Sequence, residues 1–182
     1  MRTKQTKTCI AIYNGDYFDI SNPEGHDFDI DVIAHSLSRL CRFTGHTTRH
    51  YSVAEHSVLV SRLVPTYLAF DALMHDAAEA YLGDVSSPLK AMLPEYKVIE
   101  ARVEKAIADH FGLRYPMPIE VKHADKQLYR QEIKQITNGK DALWHTDEPE
   151  VKVMIAGMQA KDAKNFFLHR FYELTSKQKK AA

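Results

Sequence analysis

Cysteine, glycine, proline and tryptophan are all sparse in this 182-residue chain, at two, seven, seven and one. Cys9 and Cys41 form no CxxC pair, which excludes a disulfide framework and argues against a cysteine zinc knuckle. Lys plus Arg and Asp plus Glu both number 24, so no charge of one sign is available to hold a nucleic-acid polymer or an anionic membrane. Any anionic ligand must be held locally. No apolar run approaches the roughly 20 residues of a membrane span. The stretch Met1 to Lys7 lacks the apolar segment of a secretory signal, so a cytoplasmic enzyme or binder is expected. What is present is a globular composition, 45% apolar and 26% charged, which at this length predicts a single domain over 1–182. The unusual feature is ten histidines.

Residues 9–20 alternate around Asn14-Gly15, and Asn-Gly between such runs predicts a β-hairpin with a two-residue type I′ turn. From Asp31 the apolar spacing becomes helical, with Ile33, Leu37 and Leu40 in register as far as Thr44-Gly45. Ser52-Val-Ala-Glu55 reads as a capping box for a helix whose buried stripe includes His56. After Pro65 the pattern predicts a continuous helix from about Thr66 to Leu82, stopped by a left-handed Gly83 and carrying His75, Asp76 and Glu79. Ser87-Pro88 starts another helix, and Pro94 breaks the sequence before a long apolar face over Ile99, Val103, Ile107 and Phe111. A helix after Pro118 aligns Val121, Asp125, Leu128 and Glu132, and a last one shows Ala163, Phe166, Phe167 and Phe171. Thr137 to Glu150 has turn chemistry, and 177–182 reads as a solvated tail. The fold class is therefore all-α, a helical bundle over 31–176 with a small N-terminal β-hairpin.

His56, His75-Asp76 and Asp125 each stand on a helix face whose neighbours at helical spacing are apolar. A single histidine in such a place is more often a hydrogen-bonded core residue. Two buried carboxylates beside two imidazoles are better explained by a compensating cation, because an unpartnered buried charge costs several kcal/mol. Imidazole nitrogen with carboxylate oxygen suits manganese, cobalt, zinc, nickel or iron and leaves open coordination positions. Glu79 falls one turn beyond His75, and the Gly83 stop returns Asp84 to the same end.

These residues resemble the HD-domain metal-dependent phosphohydrolases. Within that superfamily, Cys41-Arg-Phe-Thr-Gly-His46, Tyr51-Ser-Val-Ala-Glu-His-Ser57, His75-Asp-Ala-Ala-Glu-Ala-Tyr81, Gly83-Asp84, Ser87-Pro-Leu-Lys90 and Val121-Lys-His-Ala-Asp125 are similar to the small bacterial and phage 5′-deoxynucleotidases and their dATP triphosphohydrolase relatives. The resemblance implies one divalent ion, magnesium included, on His56, His75, Asp76 and Asp125, with Glu79 and Asp84 handling the attacking water. It implies Arg42 and Lys90 on phosphate, Phe43 against the base and His46 near a phosphate. The expected activity is release of 5′-phosphate from a deoxynucleotide. The alternatives are release of triphosphate from dATP or another dNTP, and a catalytically silent nucleotide-binding regulator. The partner is a small-molecule nucleotide, and relatives of this kind form homo-oligomers, dimers or hexamers.

Overall fold

The computed structural model describes residues 7–138 and 149–181, with side chains through 176. The elements are β1 Cys9–Ala11, β2 Tyr17–Asp19, α1 Ile30–Leu37, α2 Val53–Leu63, α3 Ala69–Leu73, α4 Glu79–Leu82, α5 Ser87–Ala91, α6 Pro94–Phe111, α7 Ile119–Ile136 and α8 Ala160–Ala181, with 3-10 turns preceding α1, α2 and α3. The all-helical class with one antiparallel hairpin is as expected, and no helix among the described residues is long and apolar enough to cross a membrane. His145 and most of the expected turn segment between Thr137 and Glu150 lie outside the described residues. The backbone of 177–181 continues α8, whereas a solvated tail was the expectation; its side chains lie outside the description.

The hairpin pairs Cys9 with Asp19 and Ala11 with Tyr17, which leaves a loop longer than two residues. Gly15 N–H donates to Ile12 O at 3.0 Å, so Tyr13 and Asn14 are the central pair, and Gly15 itself takes the positive φ of 91°. Asn14 is not left-handed as a type I′ turn requires. Its amide oxygen instead accepts from Asp16 N–H at 3.0 Å and fixes the corner locally.

Helix α2 is the axis of the bundle: Val53 through Ser61 are all buried, and it packs against α1, α3, α7 and α8. Ser52 caps it by accepting from Glu55 N–H at 3.2 Å. The reciprocal half of the expected capping box is absent. The Glu55 carboxylate turns to the chain after α7 and accepts from the N–H groups of Ala156, Gly157 and Met158 at 2.9, 3.0 and 2.7 Å. Val64 before Pro65 is extended, as the proline ring requires, and ends the helix.

Two helices and a turn replace the continuous helix expected over Thr66 to Leu82. The break falls at Met74 to Ala78, where no glycine or proline signals it. The His75 ring nitrogen Nδ1 donates to Ala72 O at 2.8 Å, the carbonyl that a continuing helix would give to the Asp76 N–H. The chain leaves the helical path there and presents His75 and Asp76 from a bend. Gly83 closes α4 with φ 82° and ψ 159°, an extended positive-φ conformation rather than the left-handed helical one expected. Helix α1 also stops earlier than its periodicity suggests, at Leu37.

Between α1 and α2, Val53 N–H donates to Leu40 O at 3.0 Å and Arg42 N–H to Tyr51 O at 3.0 Å, pinning the two ends of the intervening loop together. Phe43 and Thr44 in that loop have φ of 56° and 54°, conformations that cost a side-chain-bearing residue about 1 kcal/mol or more. Arg42 stands at the neck of this strained loop, beside α2.

Candidate metal centre

Helix α2 brings His56, the bend after α3 brings His75 and Asp76, and α7 brings Asp125. One ligand atom each from His56, His75 and Asp125 lie within 4.8 Å of one another. His56 Nε2 is 3.3 Å from His75 Nε2, 3.1 Å from Asp125 Oδ1 and 3.6 Å from Asp76 Oδ2, and His75 Nε2 is 3.2 Å from Asp76 Oδ2. All four residues named from the sequence therefore converge. Their donors suit a borderline divalent ion in composition, and two imidazole nitrogens aimed at each other need a shared partner between them.

The charges point the same way. Burial and Arg42 oppose a positive charge on His56, yet Glu132 and Asp125 outweigh them and raise its pKa to about 9. Burial would raise Asp76, but His75, His56 and Arg42 hold its carboxyl far below the usual range, and Asp125 is lowered against its own burial by His56 first. The cluster thus favours a positive charge at His56 Nε2, from a proton or from a metal ion.

Beside the cluster lies a cleft of about 220 Å³ lined by His75, Asp76, Asp125, Glu79, Lys90 and, from α6 and α7, Glu100, Glu104 and Lys122. Lys90 Nζ donates to Glu100 Oε1 at 2.6 Å and is 3.8 Å from Glu79 Oε1. Glu79 is 8% exposed, and its Oε2 has no partner among the described residues. Burial, then the negative charges of Asp76 and Asp84, push the Glu79 carboxyl well above its usual range, and burial also raises Asp84.

Other expected contacts are placed differently. Arg42 does not line the cleft. Its guanidinium lies behind the four converging residues, donating to Glu132 Oε2 at 3.1 Å and standing 3.6 Å from Asp76 Oδ2. Phe43 stacks on Tyr129 at 5.6 Å between ring centres and does not line the cleft either. His46 is exposed and contributes a backbone N–H to the 3-10 turn, donating to Phe43 O at 2.9 Å. Among the histidines read as structural, His35 stacks on Tyr13 and His50 Nδ1 bonds Met158 O.

Glu132 was aligned with Asp125 in the sequence but given no role. It is fully buried, accepts from His56 Nδ1–H at 2.6 Å and from Tyr51 O–H at 2.7 Å, and pairs with Arg42. Burial would raise it, but Arg42, His56 and the two hydrogen bonds hold it below the usual range. The available signal was its seven-residue spacing from Asp125, two helical turns along one apolar face.

The Escherichia coli K12 protein YfdR, itself named as uncharacterized, is 37% identical over 173 residues that cover 93% of this chain and 97% of YfdR. The chain belongs to the YfdR family. A second relative, the uncharacterized protein RCAP_rcc00048 of Rhodobacter capsulatus, is 36% identical over 143 residues, 71% of this chain and 73% of that protein. No family model matches the chain. At 93% of the chain, the YfdR likeness takes in the helices that carry the four converging residues.

Proposed function

We propose that this member of the YfdR family is an HD-domain metal-dependent phosphohydrolase that removes the 5′-phosphate of a deoxynucleotide. The observation that carries the reading is the convergence of buried His56 with His75, Asp76 and Asp125, the last three on the wall of a cleft that also holds Glu79 and Lys90. These four residues would hold the ion. When bound there, a divalent ion supplies charge that polarises a phosphoryl oxygen and acidifies water.

The chain's own groups account for the rest. Lys90, steered by Glu100, places an ammonium on the cleft wall to neutralise phosphate, and Lys122 adds a second. Glu79, with one oxygen unpartnered, accepts a proton from the attacking water, and its burial, then the charges of Asp76 and Asp84, strengthen its hold on that proton. The water oxygen bonds to phosphorus as its proton passes to Glu79, the phosphorus–O5′ bond breaks, and Glu79 returns that proton to O5′, so that orthophosphate and the deoxynucleoside leave. Arg42 contributes positive potential from behind Asp76. Carboxylates outnumber ammonium groups on the cleft wall, which favours a monophosphate over the more highly charged triphosphate. A homo-oligomer in the cytoplasm acting on a small nucleotide completes the reading.

The test is metal-stripped protein reconstituted separately with manganese, cobalt, zinc and magnesium and incubated with dAMP and with dATP. Orthophosphate from dAMP with little triphosphate from dATP is expected. Triphosphate and deoxyadenosine as the main products would assign the triphosphohydrolase reaction, and no product with any metal would leave a nucleotide-binding regulator.

A further inference from the structure

We infer that Glu132 is a positioning residue for this site: one carboxylate oxygen orients His56 so that Nε2 is its ligand atom, and the other holds Arg42 against Asp76. The inference rests on the metal reading above and adds a residue that the reading does not use.

An imidazole offers a defined ligand nitrogen only when its other nitrogen is committed elsewhere. An ionised carboxylate has no hydrogen to donate, so the 2.6 Å contact places the hydrogen on His56 Nδ1 and, in the neutral ring, the lone pair on Nε2. Nε2 is the atom that faces His75 and Asp125. The orienting oxygen is itself fixed from a second side, because Tyr51 O–H donates to the same Oε1 at 2.7 Å. Tyr51, His56 and Glu132 are each 0% exposed, so water has no access with which to replace any of the three. The second oxygen, Oε2, accepts from Arg42 at 3.1 Å, and the other terminal nitrogen of that guanidinium is 3.6 Å from Asp76 Oδ2. One carboxylate from α7 thus ties a ligand on α2, a ligand in the bend after α3 and the cation at the neck of the strained loop into one arrangement. A carboxylate serving only to neutralise Arg42 would have no need of the His56 and Tyr51 bonds on its opposite oxygen.

The experiment is titration of metal-free protein with cobalt(II), read by its visible absorption and by competition with a chelator, alongside thermal melts of the metal-free proteins. Glu132→Gln keeps the shape and removes the charge; its cobalt(II) affinity is expected to fall about 10- to 100-fold, the usual consequence of losing an outer hydrogen-bond partner of a ligand, with a changed absorption band. Tyr51→Phe, which leaves the carboxylate and the Arg42 pair in place, is expected to shift both readouts in the same direction by less. A folded Glu132→Gln protein with wild-type affinity and an unchanged band overturns the inference. If that variant does not fold, Tyr51→Phe carries the test, and wild-type behaviour in it overturns the inference equally. Absence of cobalt(II) binding by the wild-type protein overturns the metal reading itself, and the role of Glu132 with it.

Discussion

Glu79 and Lys90 make opposite demands on the same few ångströms. Glu79 is buried beside Asp76 and Asp84, which favour its protonated form, while Lys90, 3.8 Å away, favours its anion. Burial and the two aspartates prevail and hold the carboxyl well above its usual range, which suits it to keep a proton and pass it on to a leaving group, and Glu79→Gln removes that proton site without changing its volume. Its kcat toward dAMP is expected to fall about 10²- to 10⁴-fold, the usual contribution of a general acid–base group, with cobalt(II) affinity unchanged. Steady-state kinetics beside a cobalt(II) titration checks this; wild-type kcat would remove Glu79 from the chemistry. Lys90 has a different task. Its ammonium is already satisfied by Glu100 at 2.6 Å, so it is oriented before any phosphate arrives. Lys90→Ala removes one charge-assisted contact, worth about 1.5–3 kcal/mol, and is expected to raise KM for dAMP by about 10- to 100-fold. A change confined to kcat would instead place Lys90 on the transferring oxygen alone.

The chain segment at 156–158 is held to α2 by one side chain, and the strength of that hold is measurable. Glu55→Ala leaves three backbone N–H groups without their carboxylate, and a loss of about 3 kcal/mol is expected from the cost of losing charged hydrogen bonds, read as a lower urea midpoint at unchanged slope. A loss below about 0.5 kcal/mol would mean that the segment is held by its other contacts, Arg49 to Ile155 O and His50 to Met158 O. Glu55 also shows where sequence reading stops. Ser-x-x-Glu correctly marks the start of α2, but the glutamate's partners lie 101 to 103 residues away, and no local pattern records them. The same holds for the interruption between α3 and α4, where a side-chain bond from His75 replaces the glycine or proline that a reader would look for. Helices bounded by Pro88, Pro94, Gly112 and Pro118 were legible because those breakers act on the backbone directly. In the site, His56 and Asp125 were legible as polar groups on apolar helix faces, whereas His75 and Asp76, read on the same ground, stand in the bend between α3 and α4. Glu132 and Tyr51 were not assigned, since their roles come from a pairing 81 residues apart in sequence.

At the scale of the whole molecule, the hairpin and the bundle meet in an aromatic group that includes a titratable ring. His26 packs edge-on against Phe18 of β2, against Phe28 and against Tyr81 of α4, at 5.1, 5.0 and 5.8 Å between ring centres. Burial lowers its pKa from 6.5; Asp27 and Asp16 pull it back up, and His110 on α6 pushes it further down. The folded protein therefore holds His26 neutral at a pH where the unfolded chain has begun to protonate it, and the unfolded state binds more protons in that interval. The stability this group contributes is complete above about pH 6.5 and is lost as the pH falls through the folded-state value. His35 is lowered by burial too, so the whole-protein melt alone does not isolate the residue. His26→Phe does, because it keeps an aromatic ring among Phe18, Phe28 and Tyr81 while removing the proton site. Between pH 7.5 and 5.0 the wild-type melting temperature is expected to drop further than that of His26→Phe, with the two curves drawing apart below pH 6.5. Parallel curves would mean that His26 stays solvated enough to protonate in place, and that the junction between hairpin and bundle is open to water on the histidine's side.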